Sequence, residues 1–71
     1  MIKFDFDAAW ERANALLAHH GLHSEDVLKA LVLREAAVVR LANAPFWSEK
    51  WHKASKDVAD QDEVLAKWGL A

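Results

Sequence analysis

The chain contains no cysteine, a single proline and only two glycines in 71 residues. Without cysteine it has neither disulfide cross-links nor thiolate chemistry. So little proline and glycine marks one small domain, near the size at which a single core leaves only about 3–5 kcal/mol of stability. Long apolar runs are missing as well. The hydrophobic stretches are short and interrupted by Arg34, Glu35 and Arg40, so neither a signal peptide nor a spanning segment is expected, and the expected setting is cytoplasmic. Nor is there an excess of basic charge. Nine Lys+Arg against eleven Asp+Glu give a net charge of −2, far from the balance of a dedicated nucleic-acid binder. A glycine-rich phosphate loop, a metal-ligand cluster and a carboxylate pair suited to acid–base work are all lacking, so no catalysis and no cofactor are expected. No low-complexity linker and no internal repeat is visible.

What the chain has in quantity is apolar surface. Its hydrophobic share is 54%, high for this length, which suggests that some of it faces another molecule. At the start, Ile2, Phe4 and Phe6 alternate with Lys3, Asp5 and Asp7 before a helical pattern begins at Ala8. A period of two that gives way to one of 3.6 predicts a short strand feeding helices. A lone strand leaves its backbone unpaired, so this one is expected to pair with its counterpart in a second copy.

Helix punctuation divides the remainder. Asp7 is placed to cap a first helix over roughly 8–19, with Trp10, Ala13, Leu17 and His20 on one face and Gly21 as its left-handed stop. Ser24 is placed to cap a second helix reaching Ala42, with Glu25 and Asp26 in its dipole-favoured first turn. That helix is apolar almost all round, through Val27, Leu28, Leu31, Val32, Leu33, Val38, Val39 and Leu41, which calls for burial from several sides. Asn43 and Pro45 end it, and Pro45 suits the first turn of the next helix. Trp47, Trp51, Ala54, Val58, Gln61, Leu65 and Trp68 then recur at heptad spacing. Asp60 and Glu63 form a possible capping box, so the expectation is a third helix to about Val58, a bend, and a short terminal helix stopped by Gly69.

This order of strand, helix, Gly-Leu turn and acid-capped helix, with the segments 13–22 and 27–31, Ala44-Pro45-Phe46 and the ending 62–70, resembles the RelB/DinJ-type ribbon-helix-helix antitoxins. The resemblance implies an intertwined homodimer whose paired strands enter a DNA major groove and whose C-terminal region wraps a small toxin. The groove-facing positions here are Lys3, Asp5 and Asp7, however, and Glu25 and Asp26 occupy the phosphate-anchoring helix start. Carboxylates at those places oppose DNA binding.

Other groupings have ordinary explanations. His19 and His23 are four apart, but Gly21 interrupts the helix between them and no carboxylate sits at matching spacing; with His20 they suit a helix C-terminus, where the dipole favours protonated histidine. Ser24 with His23 and Asp26 cannot line up as a triad on one turn. Lys50, Lys53 and Lys56 beside Trp47 and Trp51 could clamp a single strand of nucleic acid, but Glu49, Asp57 and Asp60 among them suggest a solvated helix face. Glu35 is expected either as a charge paired with Arg34 or Arg40 across a dimer or, more commonly, at a rim.

The expectation is therefore a mainly α protein, a short N-terminal β-strand followed by three to four helices, forming a ribbon-helix-helix-like intertwined homodimer. Residues 1–44 would dimerise through Ile2, Phe4, Phe6, Leu28, Leu31 and Val38. Residues 45–71 would bind a partner protein, a toxin or a host factor, through Phe46, Trp47, Lys50, Trp51, Leu65 and Trp68, tryptophan being the residue most favoured at binding hot spots. The alternative is a DNA-binding autorepressor using Lys3 and Ser24; no metal and no membrane is expected.

Overall fold

Each helix begins where a short polar side chain takes up a free backbone N–H. The computed structural model describes residues 2–70. In it, Asp5 accepts from the Ala8 N–H at 3.1 Å and starts α1, Phe6–His20. Ser24 Oγ accepts from Val27 at 3.4 Å and starts α2, Glu25–Asn43. Ser48 Oγ accepts from Trp51 at 3.1 Å and starts α3, Glu49–Ala66. The cap of α1 is thus Asp5 and not Asp7, which lies in the first turn where the helix dipole favours an acid.

Two of the helices stop in the same way. Gly21, at φ 68°, donates to Ala18 while Leu22 donates to Leu17. Gly69, at φ 75°, donates to Ala66 while Leu70 donates to Leu65. Both are Schellman ends, with a left-handed glycine and a following leucine folded back on the last turn. They show a short repetition that the pattern above overlooks: Leu-Ala-x-x-Gly-Leu at 17–22 and again at 65–70. Leu17 and Leu65 sit in one core cluster with Ala13, Val27, Leu28, Ala30 and Val32, and Leu22 and Leu70 pack against it.

The expected strand is not there. Among the described residues the chain forms three helices and no strand, which removes the paired-strand, intertwined ribbon-helix-helix dimer and the groove-reading role of Lys3 that depended on it. The cause lies at Asn43. Its carboxamide accepts from the Ile2 N–H at 2.8 Å and donates to the Ile2 C=O at 2.6 Å, the two bonds that an opposing strand residue would exchange. The N-terminal segment is tied to the end of α2 instead, and Phe4 packs on the core while Phe6 begins α1.

The third helix is also corrected. It runs unbroken through Asp60 and Glu63, because the heptad positions Ala54 and Leu65 are buried and Val58 and Gln61 half-buried along α2. Pro45 lies outside it, in the turn before Ser48.

α2 is the centre of the layout, with α1 and α3 on its two sides; α1 and α3 do not approach within 8 Å at Cα. The result is a single layer of 38 × 24 × 14 Å. Its radius of gyration, 12.6 Å, exceeds the about 11 Å of a compact chain of this length. Three ion pairs hold the layer: Arg12–Glu35 between α1 and α2, and Arg34–Asp62 and Arg40–Asp57 between α2 and α3.

Candidate protein-binding site

The large side chains are distributed unevenly. Where α1 begins, α2 ends and α3 begins, the buried residues are the small Ala9, Ala37 and Ala54. The aromatic rings at this end lie mostly outside. All three phenylalanines and Trp10, Trp47 and Trp51 are here; Trp68 alone lies elsewhere, seventeen residues beyond Trp51 and so about 25 Å along the helix.

The turn between α2 and α3 builds the densest cluster. Ala44 is extended, φ −85° and ψ 143°, as the residue before proline must be. Ser48 N–H donates back to the Pro45 C=O at 3.0 Å, and within this four-residue turn Trp47 has φ 64°. A positive φ at the third position is the signature of a type II turn, where glycine or asparagine is the ordinary occupant. A tryptophan there is an outlier.

The turn brings together four rings. Phe46 lies 5.2 Å from Trp47 and 5.3 Å from Trp51 between centroids, and Trp47 lies 5.2 Å from Trp51. His52 adds edges at 5.0 Å to Trp47 and 5.3 Å to Trp51. At these spacings the rings pack on one another, leaving no slot between them for a ligand cation. The cluster is a knob and not a cage. Phe46 is 71% and Trp47 63% exposed, while Trp51 is half-buried at the base.

Beside the knob the helix turns a different chemistry outward. Lys50, about 100° round from Trp51, lines a depression of about 480 Å³ with Arg40, Asn43, Ala44, Pro45 and Lys53. Arg40 is held by Asp57 at 2.8 Å and Lys53 by Glu49 at 3.5 Å; Lys50 has no carboxylate within 4 Å among the described residues.

Of the expected partner-binding residues, the structure thus gathers Phe46, Trp47 and Trp51, sets Lys50 on the adjoining side, and leaves Trp68 at the far end. Leu65 is 2% exposed; it belongs to the chain's own core and is not available to a partner. Of the residues expected to dimerise, Leu28 is buried and Leu31 packs against the core, Phe4 is half-buried, and Ile2, Phe6 and Val38 are exposed. Ser24 is the α2 cap, with its hydroxyl on Val27. His52 is not singled out by the sequence, and Arg40, expected as a partner of Glu35, is held by Asp57 instead. His52 follows Trp51 and lies five from Trp47, a spacing that becomes a contact only because the turn folds Trp47 back over the first turn of α3.

Among the described residues no group of three or more His, Asp or Glu is placed to hold a metal ion, and no helix is long and apolar enough to cross a membrane. No family model, curated protein or solved structure matches the chain.

Proposed function

We propose that the protein acts by binding another protein, in the manner of a small antitoxin-like inhibitor, with the Phe46–Trp47–Trp51–His52 knob as the anchor that enters an apolar pocket of the partner. The observation that carries this reading is the conformation of Trp47. A side chain with a Cβ in the left-handed region costs about 1 kcal/mol, and the indole, 63% exposed, offsets it only through its packing on the neighbouring rings. Strained residues of this kind cluster at ligand clamps and binding surfaces, where the bound state repays them. Tryptophan is also the residue most enriched at interface hot spots. The strand-built DNA reader is not carried forward.

Trp47→Gly separates a folding role from a binding role. Glycine takes φ 64° without strain, and this relief offsets the lost ring packing and the added unfolded-chain entropy, so the variant is expected to stay within about 1 kcal/mol of the parent in urea, yet to lose its partner. A photoreactive residue at position 46 cross-links the bound protein for identification by mass spectrometry, and calorimetry with that purified protein then compares parent and variant. Loss of stability with unchanged affinity would reverse the assignment.

A further inference from the structure

A single layer of helices is incomplete by the usual standard, in which a core closes between two layers. The ion pairs show what each face of this layer carries. Arg34 and Glu35 are neighbours on α2, one reaching α3 and the other α1, and these two pairs close one face. Trp10 projects about 160° away from Arg12 across the buried Ala9–Ala13–Leu17 stripe, and Asp57 lies across the Ala54–Leu65 stripe from Asp62. Trp10 and the Arg40–Asp57 pair therefore share the other face. Leu33, seven residues before Arg40, lies there too, as does the exposed Lys29, four before Leu33, and Lys50 and Lys53, seven and four before Asp57, lie on its α3 edge.

This second face sets exposed apolar side chains beside Lys29 and Arg40, and its two edges differ in charge. Trp10 is 41% and Leu33 53% exposed. On its α1 edge, the stacked Phe6 and Trp10 line a depression of about 440 Å³ with Asp7 and Glu11. On its α3 edge is the depression of Arg40, Lys50 and Lys53 floored by Ala44 and Pro45. Acid and aromatic groups lie on one side of α2; on the other, over an apolar floor, Arg40 and Lys53 are held by Asp57 and Glu49, and Lys50 supplies the base with no carboxylate partner among the described residues. A 180° rotation about an axis along α2 exchanges the two edges and sets each over its complement.

We infer that a second copy of this chain covers the Trp10–Leu33 face, with the Phe6, Asp7, Trp10 and Glu11 depression of each copy seated on the Arg40, Lys50 and Lys53 depression of the other. Such a contact is isologous, as closed two-fold dimers require. The 38 × 24 Å face offers about 900 Å², against about 800 Å² per partner in a stable complex. The aromatic knob at the turn takes no part, so this inference does not rest on the partner-binding role given to Trp47. The symmetry places both knobs at the same end of the dimer, free for a partner.

The test is a charge swap read by light scattering and native mass spectrometry over a dilution series, from about 100 μM, at which even a micromolar interface is filled, to about 1 μM, at which a tenfold weakening shows as lost dimer. The parent is expected at twice its 8.0 kDa chain mass. Lys50→Glu with Lys53→Glu, and separately Asp7→Lys with Glu11→Lys, are expected to dissociate about tenfold or more readily. All four positions are exposed, and circular dichroism checks that each variant keeps its helices. Mixing the two variants is expected to restore a dimer containing one chain of each. A parent that stays monomeric, variants that dimerise like the parent, or a mixture that remains monomeric would each overturn the inference. Trp47→Gly is expected to leave the dimer intact, and its loss there would place the interface at the knob instead.

Discussion

At Glu35, sequence reasoning leaves two outcomes open, a buried charge bridging two copies or a rim position. The structure leaves Glu35 half-buried and pairs it with neither Arg34 nor Arg40, which are held by Asp62 and Asp57, but with Arg12 of α1, whose Nε and Nη2 reach the two carboxylate oxygens at 2.9 and 2.6 Å. This bidentate fork holds the Glu35 carboxyl below the usual glutamate range, through its hydrogen bonds first, opposed by the weaker effect of burial and aided least by the guanidinium charge. Because the folded pKa lies below the unfolded value, the contribution to stability is fully present above about pH 4.3 and is lost as pH falls through the lower folded value. The urea midpoint followed from pH 7 to pH 3 is therefore expected to fall less steeply in Arg12→Gln than in the parent. A carboxyl NMR titration of Glu35 in that variant is expected to move up into the ordinary range. Equal acid slopes in the two proteins would mean that the fork is not maintained in solution.

At the scale of single elements, what was legible is what is decided locally. Ser24 and Gly21 announce the start of α2 and the end of α1 because a cap is chosen by the few residues around it. The strand failed for the opposite reason. The alternation of Ile2, Phe4 and Phe6 states only that the segment is extended, while its hydrogen-bond partner is chosen by the fold, and Asn43, forty-one positions away, takes that place. The break assigned near Asp60 failed likewise, since a capping box describes a local option and the burial of Leu65 along α2 decides against it. The paired glycine ends allow a direct measurement of local choice. A Cβ at Gly21 or Gly69 would meet nothing within 4 Å, so Gly21→Ala and Gly69→Ala pay only for the left-handed backbone, about 1 kcal/mol each. Asparagine at either site is expected to cost less than alanine. Urea unfolding checks both orders, and a loss well above about 2 kcal/mol would show that the turn is held by something besides its backbone.

The whole molecule is polarised along its length. One end holds the branched residues Leu17, Val27, Leu28 and Leu65 under the two glycine–leucine stops, and the other holds alanines inside and aromatic rings outside. The sequence made the tryptophans conspicuous without showing this sorting, because heptad spacing places Leu65 and Trp51 on one stripe while only the three-helix layout decides which becomes core. A core built from alanine buries little area per residue, at about 25 cal/mol per Å², so the open end is the cheaper one to separate. Local opening follows such differences in buried apolar contact. Amide exchange of α1 and α3 is therefore expected to be graded in the same direction along the chain. In α1, protection should rise from Ala9 toward Leu17, and in α3 from Ala54 toward Leu65, with the least protected of these amides exchanging about tenfold faster or more. In α2 the most protected amides should lie near Leu31 and Val32, within the span that packs against both glycine–leucine stops. Uniform protection along all three helices would mean that the alanine end is as firmly held as the leucine end, and that the exposed aromatics brace it by contacts across the layer.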